Sequence, residues 1–208
     1  MRKRGSLLIT LGVLLLAAAL GLTAYNLYEN HRAAVAADQV TVQLNEVLPE
    51  PQPQQPSQPS TPETVIPDYI LNPHMDMPEI EIDGEEYIGT LSLPSLDIEL
   101  PIISHWSYPR LRIAPCRYVG SAYTDDLVIA AHNYNYHFGQ LKNLNEGERV
   151  VFTDTDGNVF TYEVAARETL MPTAVEEMTS GEWDLTLFTC TIGGSYRVTI
   201  RCEQVENN

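Results

Sequence analysis

The sequence predicts a mostly β domain of seven or eight short strands, a barrel or a sandwich, preceded by one membrane-crossing helix and a proline-rich tether. Three observations lead there. They are an uncharged apolar run from Ser6 to Tyr25, a stretch at 48–62 that alternates proline with small polar residues, and a series of β-branched and aromatic runs separated by turn residues from about Glu79 onward.

No charge stands between Arg4 and Glu29, and about 20 apolar residues suffice to cross ~30 Å of hydrocarbon. Arg2, Lys3 and Arg4 precede the run, so the positive-inside bias puts the N-terminus in the cytoplasm and the rest of the chain outside. A cleaved signal peptide is the competing reading, kept open by the small residues near Leu22, Thr23 and Ala24. The expected organisation is a cytoplasmic tip and transmembrane helix at 1–30, an extracellular disordered linker at 31–76, and a folded β domain at 77–208. The linker has almost nothing to bury. At ~3 Å per residue it would reach on the order of 100 Å, which makes it a spacer outside the cell rather than an SH3 ligand.

Charge excludes one class of partner. Of 12 basic residues four lie at or before Arg32, leaving 8 against 27 acidic ones from residue 33 on. So acidic a surface repels phosphate backbones, so nucleic acid is not expected as a partner.

The folded part reads as strands at Tyr87 to Leu93, Asp97 to Ile103, Leu127 to Ala131, Arg149 to Thr153, Val159 to Ala165, Leu185 to Cys190 and Tyr196 to Cys202. Asp154 to Asn158 has the look of a calcium loop but lacks its later ligands and lies between two strands, so it reads as a hairpin turn. Short helical pieces are expected at Phe138 to Leu144 and Ala174 to Met178, the second opened by a Thr173/Glu176 capping box.

Three cysteines lie beyond the apolar run, so they cannot all pair with one another. Cys116 and Cys202 are either a bridge or two small buried hydrophobes. Cys190 closes a β run, with Arg197 one tight turn later and His132 upstream. A thiol attacks only as thiolate, and a base and a cation are what it needs. Each residue has a plainer role open to it: a strand cysteine in the core, a strand arginine on a solvated face, and His105 or His137 as reactive as His132. No metal is expected, because the loop between His132 and His137 offers no clear third ligand, and no cofactor is implied.

The run Ile88 to Pro94, then Leu100 to Ile103, Leu127 to Asn133, Phe138 to Leu141 with Gly147, and Thr186-Leu187-Phe188-Thr189-Cys190 with Arg197, resembles a sortase over residues 85 to 204. The resemblance implies an eight-stranded β-barrel and a membrane-anchored cysteine transpeptidase of mainly Gram-positive bacteria. Such an enzyme cuts a Leu-Pro-x-Thr-Gly-like sorting signal of surface proteins and joins the new carboxyl end to an amine of the cell wall or of a pilin. It implies catalytic roles for His132, Cys190 and Arg197, with Thr189 supporting substrate or oxyanion.

Departures bear on the class. No second apolar segment follows Arg201, the tether holds no Asp-Pro-aromatic lid, and only a short loop fits between Thr169 and Leu185. These features fit a class A, D or E-like enzyme rather than class B or C. The calcium site of some class A members is not expected, since Trp106 to Ala114 carries Arg110 and Arg112 and no carboxylate. An extracellular cysteine peptidase and a catalytically degenerate tethered barrel that only binds remain the alternatives; an L,D-transpeptidase would need a Ser-His-Gly-x-x-x-Cys-like element that is absent.

Overall fold

The computed structural model describes residues 2–47 and 66–205; the proline run at 48–62 lies outside the described residues. The apolar N-terminus forms one helix, α1 (Arg2–Val47), long and apolar enough to cross a membrane. Its 46 residues extend roughly 70 Å at 1.5 Å per residue. Side chains from Leu8 to Tyr28 are exposed, whereas Ala33, Ala37, Val40 and Leu44 are buried. Their spacing of four, three and four is the seam of a helix laid on a surface. That surface is the outside of the β domain along β3 (Ile98–Ile103). The extended linker expected from residue 31 therefore gives way to helix as far as Val47. Alanine-rich composition favours a helix once one face has something to pack on.

After α2 (Asp68–Leu71), a short strand β1 (Ile80–Ile82) pairs with the start of β2 (Glu85–Leu93). With β3 come β4 (Cys116–Val119), β5 (Leu127–Ala131), β6 (Arg149–Asp154), β7 (Val159–Leu170), β8 (Leu185–Cys190) and β9 (Arg197–Gln204). The order β2-β3-β4-β5-β8-β9-β7-β6 closes on itself through β2 and β6, an eight-stranded barrel with β1 as an added edge. Pairing is antiparallel except between β3 and β4 and between β5 and β8.

Alternation along the strands sorts side chains inside and out. Leu127, Ile129, Leu185, Leu187 and Ile200 point into the main core with Leu91, Phe152 and Tyr162. Val128, Ala130 and Phe188 join a second cluster on the opposite face with Tyr87, Ile103 and Met178. Strands β5 and β8 are thus buried on both faces, as the apolar run Leu-Val-Ile-Ala-Ala requires.

Two strands escaped the sequence reading, β1 because it has three residues and β4 because Cys-Arg-Tyr-Val has no alternating pattern. Strand β9 starts at Arg197, one residue late, because Tyr196 folds back in a turn on Thr191. The 154–158 hairpin is as expected, with Asp154 accepting the backbone N–H groups of Asp156 and Asn158 at 2.9 Å. The capping box is not made. The helix α3 (Val175–Met178) begins from Ala174, which leaves Thr173 one position too early for its hydroxyl to cap.

Candidate active site

Strand register brings the three singled-out residues together. Cys190 stands directly opposite Arg197 in the antiparallel β8–β9 pair. Ala131 stands opposite Thr189 in the parallel β5–β8 pair, so His132, one residue on, leaves β5 level with Cys190. Cys190 also shares parity with Phe188, on the outer face. His132, Thr189, Cys190 and Arg197 accordingly line one cleft of about 200 Å³. His105 is exposed and outside this cleft, and His137 is fully buried. Among the three histidines considered, only His132 faces the thiol's cleft.

The walls are apolar. Trp106 and Tyr108, from the 104–115 connection, contact each other edge to face at 5.7 Å; Tyr118 of β4 lies 5.3 Å from both Trp106 and Phe188. Leu111, Val175 and Met178 complete that side. These side chains went unread in the sequence. The Trp-Ser-Tyr segment was a signal, but nothing local says which way a connection folds.

Electrostatics differ among the members. Burial lowers the His132 pKa below its usual 6.5, and the nearby Arg112 guanidinium lowers it further. Neutral imidazole is thereby the resting form near neutral pH, suited to accepting a proton. Arg197 donates from Nη1 to the Gly194 and Tyr196 carbonyls at 3.1 and 3.2 Å, which holds its stem against the turn. Nε and Nη2 have no protein partner among the described residues. The Thr189 hydroxyl is already committed, donating to the Ala131 carbonyl at 2.8 Å in a buried position. It ties the end of β5 to β8 just before both catalytic candidates. Asn133 adds a second tie, donating from Nδ2 to the Thr191 carbonyl at 3.5 Å. Cys116, Cys190 and Cys202 are all free thiols, with Cys116 and Cys202 buried hydrophobes.

Such a cleft can hold an extended peptide against a thiol with a base and a cation on either side. A model of the sortase domain family matches residues 91–205 of the chain. No curated protein matches it significantly. Among solved structures, the chain is similar to sortase C1 from Streptococcus suis, with a TM-score of 0.51, 22% identity, and coverage of 59% of this chain and 74% of that one. Sortase C from Clostridium perfringens, determined with the C-terminal cell wall sorting motif, gives 0.53 and 22%, covering 64% and 75%. A sortase D5 transpeptidase from the same organism gives 0.51 and 17%, covering 58% and 79%. At these identities the solved structures share the barrel fold.

Proposed function

The chain belongs to the sortase family, and on that premise we propose that it is a membrane-anchored cysteine transpeptidase that cleaves a sorting-signal peptide of the Leu-Pro-x-Thr-Gly kind and transfers it to an amine. One observation carries this reading: Cys190, His132 and Arg197 line a single cleft at one end of β5, β8 and β9.

Cys190 as thiolate attacks the scissile carbonyl and forms a tetrahedral adduct. Arg197 stabilises its oxyanion through Nε or Nη2, the donors its turn leaves unused. His132, neutral at rest, takes the Cys190 thiol proton as the thiolate forms and gives it to the departing amine, leaving a thioacyl enzyme. It then takes a proton from the incoming amine, which attacks the thioester and restores the thiol. The aromatic walls suit the apolar residues of the signal and keep water from the thioester, which favours transfer over hydrolysis. Thr189 contributes by fixing the two strands. The exposed apolar part of α1 and the three cationic residues before it support a single-pass anchor with the barrel outside the cell. Sorting-signal peptides are one partner and an amine of a wall precursor or pilin the other.

Mass spectrometry of products from a sorting-signal peptide and an amine decides it. A ligated product is expected. Hydrolysis alone would mean a peptidase, and no turnover a binding module.

A further inference from the structure

We propose that the second half of α1 is a positioning element for the catalytic histidine, with Asn30 and the Ala33 face of the helix holding the 132–139 loop in the geometry in which His132 meets Cys190. The inference rests on the role given to His132 above and adds which groups outside the cleft set its place.

The loop is a tight turn. His137 and Gly139 N–H groups donate to the Tyr134 carbonyl at 3.0 and 2.9 Å, and the Phe138 N–H donates to the His132 carbonyl at 3.2 Å. A Cβ on Gly139 would come within 2.7 Å of the Asn133 and Tyr134 carbonyls, so this backbone has no slack. At its apex the Asn135 N–H donates to Asn30 Oδ1 at 3.0 Å, a partner from the helix rather than from the barrel.

Beneath the same turn His137 is fully buried, and no hydrogen bond of normal geometry reaches either ring nitrogen. The Ala33 backbone faces it, and Ala33 itself is fully buried. With no hydrogen bond of normal geometry beyond that backbone contact, the imidazole stays out of water only while packing holds it there. Tyr134 links this seat to the cleft, its ring 5.4 Å from His137 and 5.0 Å from His132. A displacement of α1 is therefore felt at His132 through two side-chain contacts and a rigid turn. The ring of barrel strands closes without α1, whose Ala37, Val40 and Leu44 pack against the core clusters while Asn30 and Ala33 reach the loop.

The test uses the full chain in detergent micelles, assayed with a sorting-signal peptide and an amine. Asn30→Ala is expected to lower kcat about five- to tenfold with little change in KM, and Asn30→Asp, which keeps the acceptor oxygen, to restore it. As the loop loosens and hydrates, the pH limb belonging to His132 should rise toward 6.5. The groups around that imidazole are Arg112 from the 110–112 turn, Tyr134 and His137 from its own loop, and Cys190 and Arg197 from the strands. Glu29 and Arg32 of α1 act on Tyr134. Loss of stability alone would lower the active fraction and leave the limb in place. Hydrogen exchange reads the loop without activity: Ala33→Leu should raise exchange across 132–139 while β8 and β9 stay protected. Unchanged kcat, an unmoved limb and unchanged exchange would overturn the proposal. A parent chain that fails to ligate would sink the transpeptidase reading instead, and exchange would still decide whether α1 holds the loop.

Discussion

Cys190 is half-buried at a strand end, while burial pushes the thiols of Cys116 and Cys202 up to about 12. A neutral buried thiol behaves as a small hydrophobe. Iodoacetamide should therefore modify one site in the folded protein, Cys190, and abolish turnover. Cys190→Ala should abolish cleavage and ligation with an unchanged circular dichroism spectrum; ligation near the parent rate would reject it as nucleophile. His132→Ala should remove nearly all activity and His137→Ala far less. His137 has a different signature, in stability. Burial depresses its pKa from 6.5 to about 4, so the unfolded chain binds the extra proton between those values. The contribution is whole above pH 6.5 and is lost as pH falls to about 4, by up to about 3 kcal/mol. His137→Phe should flatten that part of the stability curve, as measured by thermal melts across the window. An identical acid dependence in the variant would reject the assignment.

Strand β9 carries two arginines of the same parity in different settings. Arg197 sits opposite Cys190, and Arg201 sits opposite Thr186, four residues and ~13 Å further along. Arg201 is buried in a filled site: it pairs with Glu168 at 2.9 Å and donates to Thr186 Oγ1 at 3.1 Å and to the Glu177 carbonyl at 2.8 Å. Arg197→Ala should lower kcat/KM by about 10²-fold or more, the scale of one lost oxyanion donor. Arg201→Ala should leave kcat/KM of the folded fraction nearly unchanged and cost about 2 kcal/mol of stability, discounted because Glu168 is partly exposed. Denaturant melts beside kinetics separate the two. Equal kinetic losses from both, with both folded, would show the roles to be wrongly divided.

At the scale of the molecule the apolar half of α1 and the half docked on the barrel are one continuous helix. The apolar span runs into the docked half of α1 without a break, and the proline run follows that docked half. Ten residues inserted between Pro53 and Pro59 should therefore leave ligation of a membrane-held substrate unchanged, measured in nanodiscs. Two glycines inserted between Arg32 and Ala33 shift the buried seam by roughly 200° at 100° per residue and should lower activity severalfold. Equal effects would return the spacing role to the tether.

Readable in the sequence were the apolar run, the seven main strands and His132, Cys190 and Arg197 as candidates. The run and the strands follow from hydrophobic stretches and turn residues, which are local, while the trio follows from the resemblance of the motifs around His132 and Cys190 to a sortase. The tertiary structure alone decided four things. It filled the site around Arg201 with Glu168, Thr186 and the Glu177 carbonyl, which strand register and the α3 turn bring there. It buried His137 and left His132 in the cleft, although both belong to one loop. It gave the Thr189 hydroxyl a partner on β5, and it laid residues 33–44 on the barrel as helix. In each case the deciding contact comes from an element distant in the chain, and no local pattern encodes which distant surface will be there to meet it.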